Sequence, residues 1–142
     1  MEWIDDIITG LKEEYEGLNL SDVIEELGIS LIRLKAKMAP LNGHDALYIR
    51  CLDDRELIYL RDDLGPMEPY VLAHELGHAI LHPELAEAYY SSLQNKGKLE
   101  RQADYFAIRF LDLEIDPRDY EGFGIEQLAK ALYVKEEALK YI

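Results

Sequence analysis

His74-Glu75-Leu76-Gly77-His78 places two imidazoles and a carboxylate within one short stretch. On a helix, positions four apart stand one turn above each other, so both rings can offer a nitrogen to one ion. Zinc suits that pair, because neutral imidazole is a good ligand and a catalytic zinc takes three protein ligands and keeps one position open. Glu75 stands beside the ligands, where a carboxylate can take a proton from a water activated at the ion. At about 100° per residue, His74, Glu75, His78 and His82 share one polar sector, while Leu72, Leu76, Ala79 and Ile80 form the opposite, core-facing side. Three of the chain's 4 histidines lie on this face.

Two imidazoles need a third ligand. Leu99 to Leu113 is expected to be a helix with the apolar stripe Leu99, Ala103, Phe106, Ala107 and Phe110, and Glu100 and Asp104 sit one turn apart on its edge. A carboxylate about 20 residues after the second histidine, on its own helix, can swing in and complete a three-ligand site. With Glu100 there, Asp104 is placed to accept the other ring N–H of His74, a bond that fixes the tautomer of a ligand histidine. The alternative is two solvated carboxylates paired with Arg101 or Lys98. Iron or manganese also accept two histidines and a carboxylate.

The elements that must hold these groups are legible in outline. Trp3, Ile4, Ile7, Ile8, Leu11 and Tyr15 predict an amphipathic helix over Trp3 to Glu16, its stripe facing the core. Ser21 is the expected N-cap of a short helix over Asp22 to Leu27, closed by Gly28. Ser30 to Ala36 reads as a strand; Ala46 to Cys51 and Glu56 to Leu60 read as a hairpin turned by Asp53-Asp54-Arg55. His44 is expected on the surface of the preceding loop. Pro83 limits the histidine helix, Glu84 to Ser91 reads as one more helical piece, and Gln94-Asn95-Lys96-Gly97 as a turn. Gly77, a helix-interior glycine costing about 1 kcal/mol relative to alanine, is best explained by close approach of a neighbouring element.

Bulk properties narrow the function classes. The 142 residues are 49% hydrophobic, enough for a modest core, and no apolar run approaches a membrane span. An acidic start without a basic region argues against a secretory signal, and the single cysteine, Cys51, excludes an internal disulfide, so a cytoplasmic location is expected. Asp and Glu number 29 against 15 Lys and Arg, for a net charge of −14, which disfavours binding to phosphate backbones and favours solubility or a basic partner. One domain over 1–142 is expected: N-terminal helices over 1–28, a sheet and metal-site core over 29–113, and a helical tail over 114–142.

His74-Glu75-Leu76-Gly77-His78-Ala79-Ile80-Leu81-His82, followed by Glu100-Arg101-Gln102-Ala103-Asp104-Tyr105-Phe106-Ala107, resembles the ImmA/IrrE-type zinc metallopeptidases. Members carry H-E-L-G-H-x-x-L-H, then E-x-x-A-N/D-x-F-A, after a hairpin and a loop, so the resemblance covers about residues 20 to 113. It implies that His74, His78 and Glu100 hold zinc and that Glu75 is the catalytic acid and base. It implies an α+β, zincin-like fold: a small antiparallel sheet of about three strands packed with the active-site helix and surrounding helices. It also implies a purpose, since members often lie in phages and mobile elements beside a helix-turn-helix repressor, which they cleave or inactivate as antirepressors. Many members follow the second motif with Leu-Leu-x-Pro; this chain has Arg109-Phe110-Leu111-Asp112-Leu113, with no proline before Pro117.

The tail, Ile125 to Tyr141, has the outline of a helix-turn-helix with Tyr133 at the turn. Its second helix begins Lys135-Glu136-Glu137, and two carboxylates would face phosphates, so packing or docking is expected there rather than direct nucleic-acid binding. The expected function is thus zinc-dependent cleavage of a cytoplasmic protein, most directly a helix-turn-helix repressor. The alternative is a zinc-containing module that inactivates the repressor by docking alone. Tyr89, Tyr90 and His82 are candidate oxyanion donors, and the hairpin edge near Glu56 to Leu60 is the expected seat of an extended substrate.

Overall fold

A computed structural model describes residues 1–82 and 96–142 of the chain. The helical piece expected over Glu84 to Ser91, the stop at Pro83 and the candidates Tyr89 and Tyr90 lie outside the described residues. The architecture is α+β, with a three-stranded sheet and helices packed around it. Among the described residues, no helix is long and apolar enough to cross a membrane.

α1 (Glu2–Glu14) buries Ile4 and Ile8. Trp3 departs from the expected stripe and is 48% exposed, because it stands roughly 100° from Ile4 around the helix. α2 (Leu20–Glu26) starts earlier than expected, and its cap is Asn19, not Ser21. Only Asn19 precedes the helix by the right step for its Oδ1 to accept from the Asp22 N–H, at 2.9 Å.

β1 (Ile29–Leu34), β2 (Ala46–Arg50) and β3 (Glu56–Arg61) form one sheet in the order β1-β3-β2. β2 and β3 pair antiparallel with Tyr48 opposite Ile58, the hairpin the sequence predicts. β1 pairs with β3 in parallel, Leu31 opposite Ile58, so the sheet is mixed and not wholly antiparallel. The connection from β1 to β2 carries the chain past the place that β3 then fills, and β3 re-enters running the same way as β1. β3 is therefore the central strand, with Ile58 and Leu60 fully buried. Its backbone is paired on both sides, which removes Glu56 to Leu60 as a free edge.

The strand beside the histidines is β2, an edge of the sheet whose Ala46, Leu47 and Tyr48 are nonetheless buried. Asp45 accepts from Arg61 and Cys51 donates to Arg55, so both turn their backbone groups toward β3. Tyr48, an odd number of residues from each, turns its N–H the other way. It meets α3 (Glu68–Leu81), the helix that carries both motif histidines.

α3 packs against α4 (Lys96–Phe110). Both are buried nearly all round where they meet: Tyr70 to His74 and Leu76 to Ala79 on α3, Ala103 to Ile108 on α4. Their contact centres on Gly77, where a Cβ would stand 3.1 Å from Phe106 Cδ1 and 3.3 Å from Ala103 Cα. Gly77→Leu is expected to lower stability by about 1–3 kcal/mol by wedging the helices apart, and Gly77→Ala to gain none of its helix-propensity advantage. Thermal unfolding checks both; a raised Tm for either would contradict the close-packing account.

α5 (Ile125–Leu132) ends with Tyr133 in the left-handed region, φ 57°. The final segment, Glu136–Tyr141, is a 3₁₀ helix and not the α-helix that a helix-turn-helix requires. Val134 and Ala138 are buried, and the Tyr141 ring meets Tyr105 of α4 edge-on at 5.3 Å. The tail packs on the helix that carries Glu100 and Asp104. His44 is exposed, as expected.

Candidate metal centre

The i, i+4 spacing on α3 builds a column of rings: Tyr70, His74, His78, then His82 at the helix C-cap. His74, His78 and His82 are 5%, 9% and 8% exposed. The packing of α4 against α3 brings Glu100 across to the middle of this column. His74 Nε2 lies 3.2 Å from His78 Nε2. Glu100 Oε2 lies 3.1 Å from His74 Nε2, and Glu100 Oε1 lies 3.1 Å from His78 Nε2. The structure thus brings together all three residues the sequence singles out as ligands.

The donor chemistry tests whether a metal fits. Asp104 Oδ1 lies 2.8 Å from His74 Nδ1 and, as a carboxylate, only accepts, so it takes the Nδ1–H of His74. Neutral His74 then presents a bare lone pair at Nε2. Lone pairs and carboxylate oxygens converging at about 3 Å repel unless a cation lies among them. Donors bound to one tetrahedral zinc at about 2.0–2.1 Å stand about 3.3 Å apart, close to the separations observed. The residues present therefore fit a divalent ion.

Asp104 is 6% exposed and also accepts from the Tyr70 hydroxyl at 2.5 Å, on the same oxygen that His74 uses. Burial alone would raise the Asp104 carboxyl, but the bond and charge of His74, with the Tyr70 bond, hold it below its usual range. Burial and Asp104 together push the Tyr70 hydroxyl up, so it remains a donor. Tyr70 lies outside the H-E-x-x-H motif, although it stands one turn before His74 in the spacing that identifies the other rings.

Glu75 points its carboxylate at the sheet, and Oε2 accepts from the Tyr48 backbone N–H at 2.8 Å. Burial raises its pKa to about 7, against the lowering effects of His74 and the Tyr48 N–H. A carboxylate tuned there can take and return a proton near neutrality. Tyr48 itself is anchored by its hydroxyl, which donates to Glu56 at 2.7 Å.

Residues 24–141 match the model of the Peptidase_M78 family, the IrrE N-terminal-like domain. The chain belongs to this family. The match covers the sheet, α3, α4 and the tail, so the family unit extends beyond the two motifs to the 3₁₀ segment packed on α4. Membership supports a metallopeptidase-type function, and the His74-His78-Glu100 cluster is where such a member could hold its metal. No curated protein and no solved structure gives a significant match to the chain.

Without metal, a proton takes the cation's part. Burial alone would lower His74, yet its bonds to Asp104 and Glu100 outweigh burial and raise it to about 9. His78 is instead lowered, chiefly by burial. The folded pKa of His74 lies above its ordinary 6.5, so its contribution to stability is full below that value and is lost as pH rises toward 9. Protein held in excess chelator is therefore expected to lose about 5 °C of Tm between pH 7 and 9. Zinc-loaded protein should not show this loss, because metal binding requires the deprotonated ring. A chelated Tm that is flat or rising over that range would contradict the proton-for-cation account.

Proposed function

We propose that this chain is a zinc-dependent endopeptidase that cleaves one specific protein, most directly a helix-turn-helix repressor. The observation that carries the reading is the convergence of two ring nitrogens and a carboxylate at 3.1–3.2 Å, with Glu75 beside them. Zinc bound by His74, His78 and Glu100 would supply Lewis-acid polarisation of a carbonyl and lower the pKa of a water toward 7. Asp104, held by Tyr70, orients His74. Glu75 accepts the proton of the attacking water and returns it to the leaving nitrogen, which turns a poor leaving group into an amine. Its bond to Tyr48 holds that carboxylate between α3 and the sheet.

An extended substrate would lie along β2, the outer strand beside α3, with Ala46 sharing the outward parity of Tyr48. His82, a candidate oxyanion donor on sequence grounds, has its two ring nitrogens at 3.0 Å from His78 Nδ1 and 2.8 Å from Gln102 Oε1. It therefore faces inward and does not fill that role. A net charge of −14 suits a basic, DNA-binding partner.

The test is identification of a helix-turn-helix repressor encoded beside this chain and its incubation with the zinc-loaded protein, followed by mass measurement of the fragments. One discrete cut, abolished by chelator and restored by zinc, is the expected result. Loss of operator binding with the repressor chain intact would instead favour docking without hydrolysis.

A further inference from the structure

Buried His82 and half-buried Gln102 are the polar pair that the proposed chemistry leaves without a task. His82 Nδ1 lies 3.0 Å from His78 Nδ1, and His82 Nε2 lies 2.8 Å from Gln102 Oε1. Two imidazole nitrogens at that distance bond only if one carries the hydrogen and the other a lone pair. There are two ways to arrange a neutral chain of this kind, and they have opposite consequences. If Gln102 accepts from His82 Nε2–H, His82 Nδ1 is bare and accepts from His78 Nδ1–H, which leaves the lone pair of His78 on Nε2. If the Gln102 amide turned to donate, every hydrogen would shift over, and His78 Nε2 would carry an N–H in the face of His74 Nε2 and Glu100.

His78 Nε2 is the nitrogen aimed at the cluster, 3.2 Å from His74 Nε2 and 3.1 Å from Glu100 Oε1. Only the first arrangement makes it a ligand, and Gln102 presents its oxygen, not its nitrogen, to His82. We propose that Gln102 and His82 form a tautomer relay that sets His78 as an Nε2 ligand, as Asp104 does for His74. This rests on the metal-centre reading above. The two ligand histidines are then oriented by different means: His74 by a buried carboxylate, His78 by a neutral imidazole held by an amide oxygen. Both supports are anchored on α4, the helix that brings Glu100, so one packing interface places the third ligand and orients the other two. Gln102 and His82 are positioning residues; neither reaches the cluster itself.

The experiment measures zinc affinity by competition with a chromophoric chelator, together with long-range proton–nitrogen NMR of the zinc-loaded wild type. Gln102→Leu removes the acceptor and is expected to weaken zinc binding about 10–100-fold. Gln102→Glu retains an acceptor oxygen and is expected to keep wild-type affinity, whereas a merely space-filling role would leave the similarly sized Gln102→Leu unchanged as well. The wild-type spectra, which need no variant to fold, should show His78 protonated on Nδ1 and His82 on Nε2. A His82 protonated on Nδ1, or a Gln102→Leu variant that binds zinc as tightly as wild type, overturns the relay. Wild-type protein that takes up no stoichiometric zinc overturns the metal centre and the relay together, and that result precedes any variant.

Discussion

Glu75→Gln is expected to leave one zinc per chain in place while lowering peptidase turnover about 10²–10⁴-fold. The amide matches the carboxylate in size and can still sit against the Tyr48 backbone, so the strand and helix need not move. What it lacks is the capacity to take a proton from water and give it to a departing amine. The measurement is turnover on the cleaved protein alongside metal content by elemental analysis. Retained metal with retained cleavage would remove Glu75 from the chemistry. Repressor inactivation that survives the substitution, yet disappears with chelator, would point to docking.

The second large effect falls on Asp104, which touches neither the proposed metal position nor the substrate. Its Oδ1 accepts from both Tyr70 and His74, and Asp104→Leu strands both donors in a buried site. Each unsatisfied buried donor costs about 1–3 kcal/mol, so denaturant unfolding of the metal-free variant should show a loss of about 2–6 kcal/mol. Zinc affinity should fall about 10–100-fold as His74 loses the bond that sets its orientation. Asp104→Asn keeps an acceptor without the charge and should fall between wild type and the leucine variant in both measurements. A leucine variant with unchanged affinity would mean that packing alone orients His74.

Local chemistry is the more readable part of this chain. The hairpin over β2 and β3 follows from β-formers on either side of Asp53-Asp54-Arg55, and the structure has it. The reason for Gly77 is legible too, because a helix-interior glycine asks for a close neighbour, and Phe106 and Ala103 are that neighbour. Trp3 and Ser21 differ from expectation by a small step of the helix, where a shift of roughly 100° turns a core position outward and a slip of two residues moves the cap from Ser21 to Asn19. The parallel pairing of β1 is not legible, since β1 has the same composition whichever neighbour and direction it takes. Placing β3 in the centre leaves β2 as the outer strand beside α3. The tail's second helix differs from expectation because its apolar spacing suits a helix of either pitch; the structure has the 3₁₀ form, with Val134 and Ala138 buried.

The sequence by itself determined that His74 and His78 face the same way with Glu75 alongside, and that Glu100 and Asp104 share a helix edge. Those relations are set by the pitch of a helix, which any chain carries with it. The roles expected of Glu100 and Asp104 follow from their places on that edge, but only the tertiary structure decided that Tyr70 shares Asp104 with His74, that Gln102 meets His82, and that the Tyr48 N–H meets Glu75. Each of these depends on how α4 and β2 settle against α3; for α4 the close approach is at Gly77, against Phe106 and Ala103. Helical pitch aligns groups along one element; close packing between elements chooses which groups meet.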